Sequence, residues 1–325
     1  MEEICKHKKH TRAAKLDVIA VISNPVQFSR RYQLFKEFCD RIELEPEVRL
    51  LKVELQQRSR CFVTDAQIKL VSKDEIWYKE NLINIGVQHL PADWEYMAWI
   101  DADIEFQNKN WAQDTIEQLQ IYDVVQMFSH AIDLGPRNET MLVHTGFAYM
   151  YVNGEPMNNY APGTPYKNGH TGYAWACRKS AYNHMGGLME FPILGSADAH
   201  MAMALIGKVG KTLHPKLNKN YKEMCYVFEE RCNRHIKYNL GYVNGTIMHN
   251  FHGNKADRQY SSRWQILIHN DFDPLRDIKK DSNNLWQLED LKPQLRDDLR
   301  RYFRQRNEDA VILSQDYSFV KKHWI

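Results

Sequence analysis

Two carboxylates one residue apart, Asp101 and Asp103, follow an almost unbroken apolar run over residues 95–100. Hard oxygen ligands at that spacing can hold Mg²⁺ or Mn²⁺ and bridge it to a diphosphate, with the ion serving as Lewis acid and template. A third carboxylate, Asp198, comes two residues after Ser196 at the head of an apolar stretch. An acid there serves as a helix cap or as a general base toward an attacking hydroxyl. Further on, His249-Asn250-Phe251-His252-Gly253 offers two imidazoles, a common type of transition-metal ligand. Lys255, Arg258, Tyr260 and Arg263 trail it, and such cations suit a diphosphate, arginine as a two-pronged donor and lysine as a point charge. Each group alone has an ordinary explanation. Asp-x-Asp occurs in solvated turns, Ser196 and Asp198 both suit a helix start, and 14 histidines make chance pairs common.

These groups need elements to hold them. Residues 16–22 are a β-branched apolar run that stops at Ser23-Asn24-Pro25, a buried strand running into a loop. Over residues 28–42, Tyr32, Phe35, Phe38 and Cys39 recur at helical spacing. Strand, loop and helix in that order open an α/β nucleotide-binding fold. Residues 48–55 and 61–64 read as further strands, and residues 76–89 as a helix carrying Asn81, Asn84 and Gly86. The run at 95–100 reads as a strand covered on both faces, which sets Asp101 and Asp103 at its C-terminal end. A helix over 111–119 and a strand over 123–128 follow. Residues 153–170, rich in Gly, Pro, Asn and Tyr, read as a long loop over the site. A strand at 172–176, a helix at 178–185 ended by Gly186-Gly187, and a helix at 197–206 ended by Gly207 come next. From about 281 the pattern is charged and helical, with Leu285, Leu288, Leu291, Leu295, Leu299 and Phe303 on one stripe. The organisation expected is a basic tail over 1–15, one large domain over 16–275 and a C-terminal helical appendage over 276–325.

Bulk properties exclude several classes. Lys and Arg number 43 against 41 Asp and Glu, so the balance argues against wholesale nucleic-acid or membrane binding. Apolar runs are strand-sized, far short of the roughly 20 residues of a membrane span. The charged N-terminus lacks the apolar core of a secretory signal, and a cytoplasmic location is expected. Six cysteines without a Cys-x-x-Cys pair suit reduced, buried thiols rather than a disulfide framework or zinc site.

Taken in order, Ser-Asn-Pro after the first strand, Asn-x-x-Asn-x-Gly, Ile-Asp-Ala-Asp, Gly-Tyr-Ala-Trp with Arg-Lys and Gly-Gly, an acid opening a helix, and His-x-x-His-Gly resemble the inverting GT-A glycosyltransferases over roughly residues 16–270. The resemblance implies an α/β, Rossmann-like GT-A fold with a mixed, mainly parallel sheet flanked by helices. It implies nucleotide contacts at Ser23 and Asn24, metal at Asp103, ribose and metal at Asp101, and a catalytic base at Asp198. A late metal ligand falls on His249 or His252, of which His249 is favoured. Asn84, Lys255, Arg258 and Arg263 join the expected donor contacts, and Trp175, Tyr173 and His170 the acceptor side, where rings stack on sugars. The cofactor implied is Mn²⁺ or Mg²⁺, with a nucleoside-diphosphate sugar as donor, UDP-sugars being the family's commonest. One departure is Ala197, where members often carry a second acid.

Residues 249–263 also resemble glycosyltransferases of viruses and bacteriophages, some of which glycosylate modified bases in DNA; the location would then be host cytoplasm. Two acceptors follow. One is a glycan or polysaccharide. The other is a hydroxymethylated base in DNA, its phosphates tracked by Lys6, Lys8, Lys9, Arg12, Lys15, Arg276, Lys279, Lys280, Arg300 and Arg301. Inversion is the expected outcome, although a retaining route uses the same metal site. A metal-dependent nucleotide hydrolase and a non-catalytic nucleotide-sugar binding protein are the rivals; the former lacks a GxxxxGK[ST] loop here.

Overall fold

The computed structural model describes residues 14–58, 60–157 and 169–310. In chain order the strands and α-helices are β1 (Leu16–Ser23), α1 (Ser29–Ile42), β2 (Val48–Gln57), β3 (Ile68–Ser72), α2 (Lys79–Val87), β4 (Tyr96–Ile100), β5 (Ile104–Phe106), α3 (Trp111–Leu119), β6 (Val124–Gln126), β7 (His130–Leu134), β8 (Thr140–Thr145) and α4 (Phe147–Val152). After residues 158–168 come β9 (Ala174–Arg178), α5 (Lys179–Met185), α6 (Ala197–Leu205), α7 (Lys219–His235), β10 (Leu240–Tyr242), β11 (Thr246–His249), α8 (Trp264–His269), β12 (Ile278–Lys280), β13 (Trp286–Leu288) and α9 (Pro293–Gln305).

A seven-stranded sheet in the order β10-β6-β9-β4-β1-β2-β3 forms the centre. Every neighbouring pair is parallel except those of β9, which runs against β4 and β6. The fold is therefore the expected mixed, mainly parallel α/β sheet with helices on it. Leu16, Val18, Ile19 and Ala20 of β1 and Met97, Ala98, Trp99 and Ile100 of β4 are buried, consistent with apolar strands covered on both faces. One apolar cluster lies on the α1 and α3 side, and a larger one unites α2, α5, α6, α7, α8 and α9 on the other. Helix α2 approaches closely because Gly86 has no side chain: a Cβ there would sit 2.8 Å from Ile19 Cγ2.

A second, four-stranded sheet in the order β5-β11-β7-β8 stands at the C-terminal edge of the first. It positions the site, because β5 continues directly from the acidic motif and β11 ends at His249. Among the described residues no helix is long and apolar enough to cross a membrane. Cys39, Cys61, Cys177, Cys225 and Cys232 are free thiols, and all but Cys61 are buried.

The structure departs from the sequence reading in several places. Residues 61–64 form no strand, because the Glu54 carboxylate takes the Val63 and Thr64 N–H groups at 2.7 and 2.8 Å; the third strand is β3. The Leu stripe from residue 285 is not one helix. Leu285 and Leu288 belong to the β12–β13 hairpin, Leu291 is 65% exposed, and only α9 is helical. Residues 104–106, 129–152 and 207–248, to which the sequence reading gave no element, contain β5, then β7, β8 and α4, then α7, β10 and β11.

Candidate active site

Strands of a parallel sheet share a direction, so their C-terminal ends open on one edge, where ligands of such folds bind. Here that edge carries a cleft of about 240 Å³ lined from Ser23 and Asn24 after β1, Lys79 and Glu80 of α2, Asp101 and Asp103 after β4, His170 to Gly172, Ser196 and Asp198 at the start of α6, and residues around His252, Arg263 and Glu308.

Register explains how distant residues meet. Strand β11 pairs antiparallel with β5, His249 opposite Ile104, and the Asn250 N–H donates to the Asp103 carbonyl at 2.7 Å. This sets the His249–His252 segment beside Asp103. Asp103 Oδ2 lies 2.8 Å from His252 Nε2 and 3.8 Å from His249 Nε2. Asp103, His249 and His252 form a group whose ligand atoms all fall within 4.8 Å of one another. One carboxylate and two imidazoles suit Mn²⁺ or another first-row divalent ion. Asp101 is not part of the group. Its carboxylate pairs with Lys79 of α2, and its own N–H donates to the Tyr173 carbonyl.

The charges are tightly coupled. Burial pushes the Asp103 carboxyl upward, but the His252 and His249 imidazoles outweigh it and hold Asp103 well below the usual carboxylate range. Burial would lower His249, yet Asp103 and Asp133 raise it. Burial, only partly offset by Lys79, raises Asp101, and burial drives Glu80 up to about 7. Asp198 sits half-buried in the first turn of α6. Gly172 leaves it room, since a Cβ on that residue would lie 3.1 Å from Asp198 Oδ2.

Beyond His252 the cleft is rich in guanidinium. Arg258 lies against the His252 ring, 2.8 Å from Nε2 and 3.2 Å from Nδ1, and donates to the Tyr260 hydroxyl at 3.2 Å, while Arg263 bonds the hydroxyls of Ser196 and Tyr302. Glu308 takes Arg306 at 2.6 Å and Arg31 at 2.8 Å. Four side-chain atoms of the cleft, Ser23 Oγ, Arg31 Nε, Asp103 Oδ1 and Arg258 Nε, are buried without a hydrogen-bond partner. Buried polar atoms are rarely left unpaired, and a cluster of them in one cleft is what a polar, charged ligand would satisfy.

Other expected residues fall elsewhere. Asn84 lines no part of the cleft; it fastens α2 to the Gly187–Glu190 turn through the Leu188 backbone, Tyr182 and Glu190. Trp175 lies in the middle of β9 between β4 and β6, its indole N–H on the Thr171 carbonyl, so it presents no stacking face to the cleft. Tyr173 is buried too, stacked on His170 with centroids 3.7 Å apart, and His170 is the one that reaches the cleft. Asn24 lines it, though its amide closes its own loop on Phe28. Lys255 pairs with the buried Asp133. Lys6, Lys8, Lys9 and Arg12 lie outside the described residues, as does 158–168 of the expected loop.

Sequence reasoning missed Lys79, Glu80, Arg31, Arg306, Glu308 and Asp133. None belongs to a short motif. Arg306 and Glu308 follow the last helix, where only a visible α9 end would draw attention to them.

No protein-family model matches the sequence, and no curated protein does. Solved structures are loosely similar. A Drosophila beta1,4-galactosyltransferase 7 mutant, solved with manganese, UDP-Gal and xylobiose, is 11% identical with TM-score 0.37, over 94% of this chain and 79% of that one. A putative nucleotide-diphospho-sugar transferase from Desulfovibrio desulfuricans G20 is 10% identical with TM-score 0.34, over 92% of this chain and 100% of the other. Galactosyltransferase LgtC, solved with donor and acceptor sugar analogs, is 8% identical with TM-score 0.31, over 93% and 99%.

Proposed function

We propose that this chain is a divalent-metal-dependent glycosyltransferase that moves a sugar from a nucleoside-diphosphate sugar to an acceptor hydroxyl. The observation that carries the reading is the union, in one cleft at the strand ends, of the Asp103–His249–His252 ligand set with the buried, unpartnered Nε atoms of Arg31 and Arg258. A bound Mn²⁺ or Mg²⁺ would supply Lewis acidity and neutralise the leaving diphosphate.

The remaining work falls to the chain. Arg258 and Arg263 are nearly buried yet bonded to neutral hydroxyls and an imidazole, so a phosphate group gives them the anionic partner they lack. Ser23 and Asn24 border the nucleotide end. Asp101, held by Lys79, faces the ribose side. Asp198 takes the proton of the attacking hydroxyl, held rigidly by the first turn of α6 and by the close approach of Gly172. Attack from the Asp198 side, opposite the diphosphate, inverts the anomeric centre.

The acceptor we propose is a carbohydrate. The five C-terminal cations suited to track DNA phosphates, all among the described residues, are already paired with carboxylates: Arg276 lies 3.0 Å from Asp277, Lys279 2.5 Å from Glu289, and Arg301 2.9 Å from Asp298, while Lys280 pairs with Glu190 and Arg300 lies 3.8 Å from Glu75. A continuous phosphate track needs charge in excess.

The test is incubation with Mn²⁺ and a panel of nucleotide sugars, with and without oligosaccharides or hydroxymethylated DNA, reading release of nucleoside diphosphate. Metal-dependent release, stimulated by a sugar acceptor and lost in Asp103→Ala, is expected. Release that survives chelation, or a protein that binds the donor but never cleaves it, overturns the assignment. Stimulation by DNA alone overturns the acceptor.

A further inference from the structure

Behind His249 lies a carboxylate that the cleft does not expose. Asp133 is on β7, and the parallel pairing of β7 with β11 puts it in register with His249. Its side chain is 1% exposed. Oδ1 accepts from His249 Nδ1 at 2.7 Å and from the Tyr173 hydroxyl at 2.7 Å. Oδ2 faces His144 Nε2 and the Lys255 ammonium. Burying a carboxylate this deeply is costly unless it is fully engaged, and here both oxygens are.

We propose that Asp133 is a positioning residue that fixes the tautomer and orientation of His249, so that Nε2 carries the lone pair toward Asp103 and His252. The inference rests on reading those residues as a metal site. Its chemistry is simple. A neutral imidazole has one N–H and one lone pair, and a carboxylate can only accept. Asp133 Oδ1 therefore claims the proton for Nδ1, leaving Nε2 as the ligating atom, and carboxylates behind ligating histidines raise their basicity in the same way. Lys255 then acts on Asp133 rather than on the ligand: its ammonium balances the buried anion.

The arrangement makes an unusual prediction for Asp133→Asn. An amide must present its oxygen to one side and its NH₂ to the other. Lys255 can only donate, so the amide oxygen turns to Lys255 and the NH₂ to His249 and Tyr173. Tyr173 tolerates this, since its hydroxyl can accept. His249 must then accept at Nδ1 and carry its proton on Nε2, where it cannot bind metal. Removing the ammonium as well, in Asp133→Asn with Lys255→Met, frees the amide to turn its oxygen back to His249.

Two readouts test this: Mn²⁺ titration by calorimetry, and the imidazole tautomer of His249 by nitrogen NMR of the metal-free protein in alkaline buffer, where the ring is neutral. Wild type should show Nδ1–H. Asp133→Asn should show Nε2–H and bind Mn²⁺ roughly 10–100-fold more weakly. The double variant should recover Nδ1–H and an affinity within a few-fold of wild type, an outcome that a merely structural Asp133 would not produce. If the single variant does not fold, the double variant carries the test, since it removes an anion and a cation together; an Nε2–H ring in it overturns the proposal. So does an unchanged tautomer in Asp133→Asn. A wild-type protein with the Nδ1–H ring but no Mn²⁺ affinity would instead overturn the metal reading and leave the tautomer role standing.

Discussion

The Asp103 carboxylate meets the His252 imidazole at 2.8 Å, Oδ2 to Nε2, a full ångström closer than it comes to His249. The sequence reading favoured His249 as the ligand; the geometry draws both into one group and gives each a carboxylate on its far side, Asp133 behind His249 and, 3.8 Å away, Glu308 beside His252.

Both imidazoles should therefore be needed. His249→Ala and His252→Ala are each expected to weaken Mn²⁺ binding by an order of magnitude or more, and Asp103→Ala to abolish it. Mn²⁺ should also raise the melting temperature, since a ligand present at 100 times its Kd adds about 2.7 kcal/mol to stability. A thermal-shift series with and without chelator checks this, and a chelator-insensitive melt in wild type would count against the site.

Asp198 should behave differently. Asp198→Asn removes the proposed base and not the donor site, so kcat is expected to fall by about 10²–10⁴ with donor affinity nearly unchanged. Gly172→Ala is a subtler probe, because its Cβ would stand 3.1 Å from both Asp198 Oδ2 and His170 Cε1, so that the carboxylate and the imidazole must give way slightly. Small displacements of a reacting group are costly, and roughly a tenfold loss of kcat is expected. Steady-state kinetics on both variants decide the matter; a drop confined to donor KM would remove Asp198 from the chemistry.

How much of this was legible beforehand depended on local pattern. The apolar runs of β1 and β4 announced a parallel sheet because strands buried on both faces need no alternation, and Asp101 and Asp103 stood out by following one of them. Helix α7 was harder to see: its buried face is Tyr221, Cys225, Phe228 and Cys232, helically spaced but without Leu, Ile or Val, in a strongly charged stretch. Trp175 misled because an aromatic near a site suggests stacking, while nothing local says that β9 is enclosed on both sides. Asp133, Arg306 and Glu308 were illegible for a different reason. Their roles come from strand register and from where α9 ends, which no single stretch of sequence encodes.

Glu308 offers a test of that tertiary reading. Its carboxyl is held well below the usual range because Arg306 and Arg31, together with His252, outweigh its burial. Glu308→Gln leaves two guanidiniums beside a neutral amide. A loss of roughly 3–5 kcal/mol is expected, as for other buried pairs broken on one side. Arg258→Ala should contrast with it, raising donor KM at a smaller cost in stability, since Arg258 bonds a neutral hydroxyl and an imidazole rather than a carboxylate and its Nε has no partner. Urea unfolding of the two variants separates them; equal destabilisation would mean that Arg258 is structural.

The last prediction concerns pH. His200 is buried on α6, and its hydrogen bonds suit a neutral ring. Thr212 gives its only hydroxyl proton to the Val209 carbonyl at 2.7 Å, so it must accept from His200 Nδ1 at 2.6 Å, leaving Nε2 to accept from the Tyr221 hydroxyl at 3.1 Å. Burial, aided by the Arg263 charge, lowers the pKa of this histidine to about 3. A base whose folded pKa is depressed binds fewer protons folded than unfolded between the two values. Its contribution to stability is therefore complete above the unfolded pKa of about 6.5 and is lost as pH falls from there toward 3. The slope is about 1.4 kcal/mol per pH unit for such a group, and His170, also lowered by burial, acts in the same direction. Replacing His200 with Gln should make the acid limb of the stability curve shallower by roughly that slope, read by urea unfolding across the window. Parallel wild-type and variant curves would show that His200 takes up its proton in the folded state and that the neutral-ring network is misassigned.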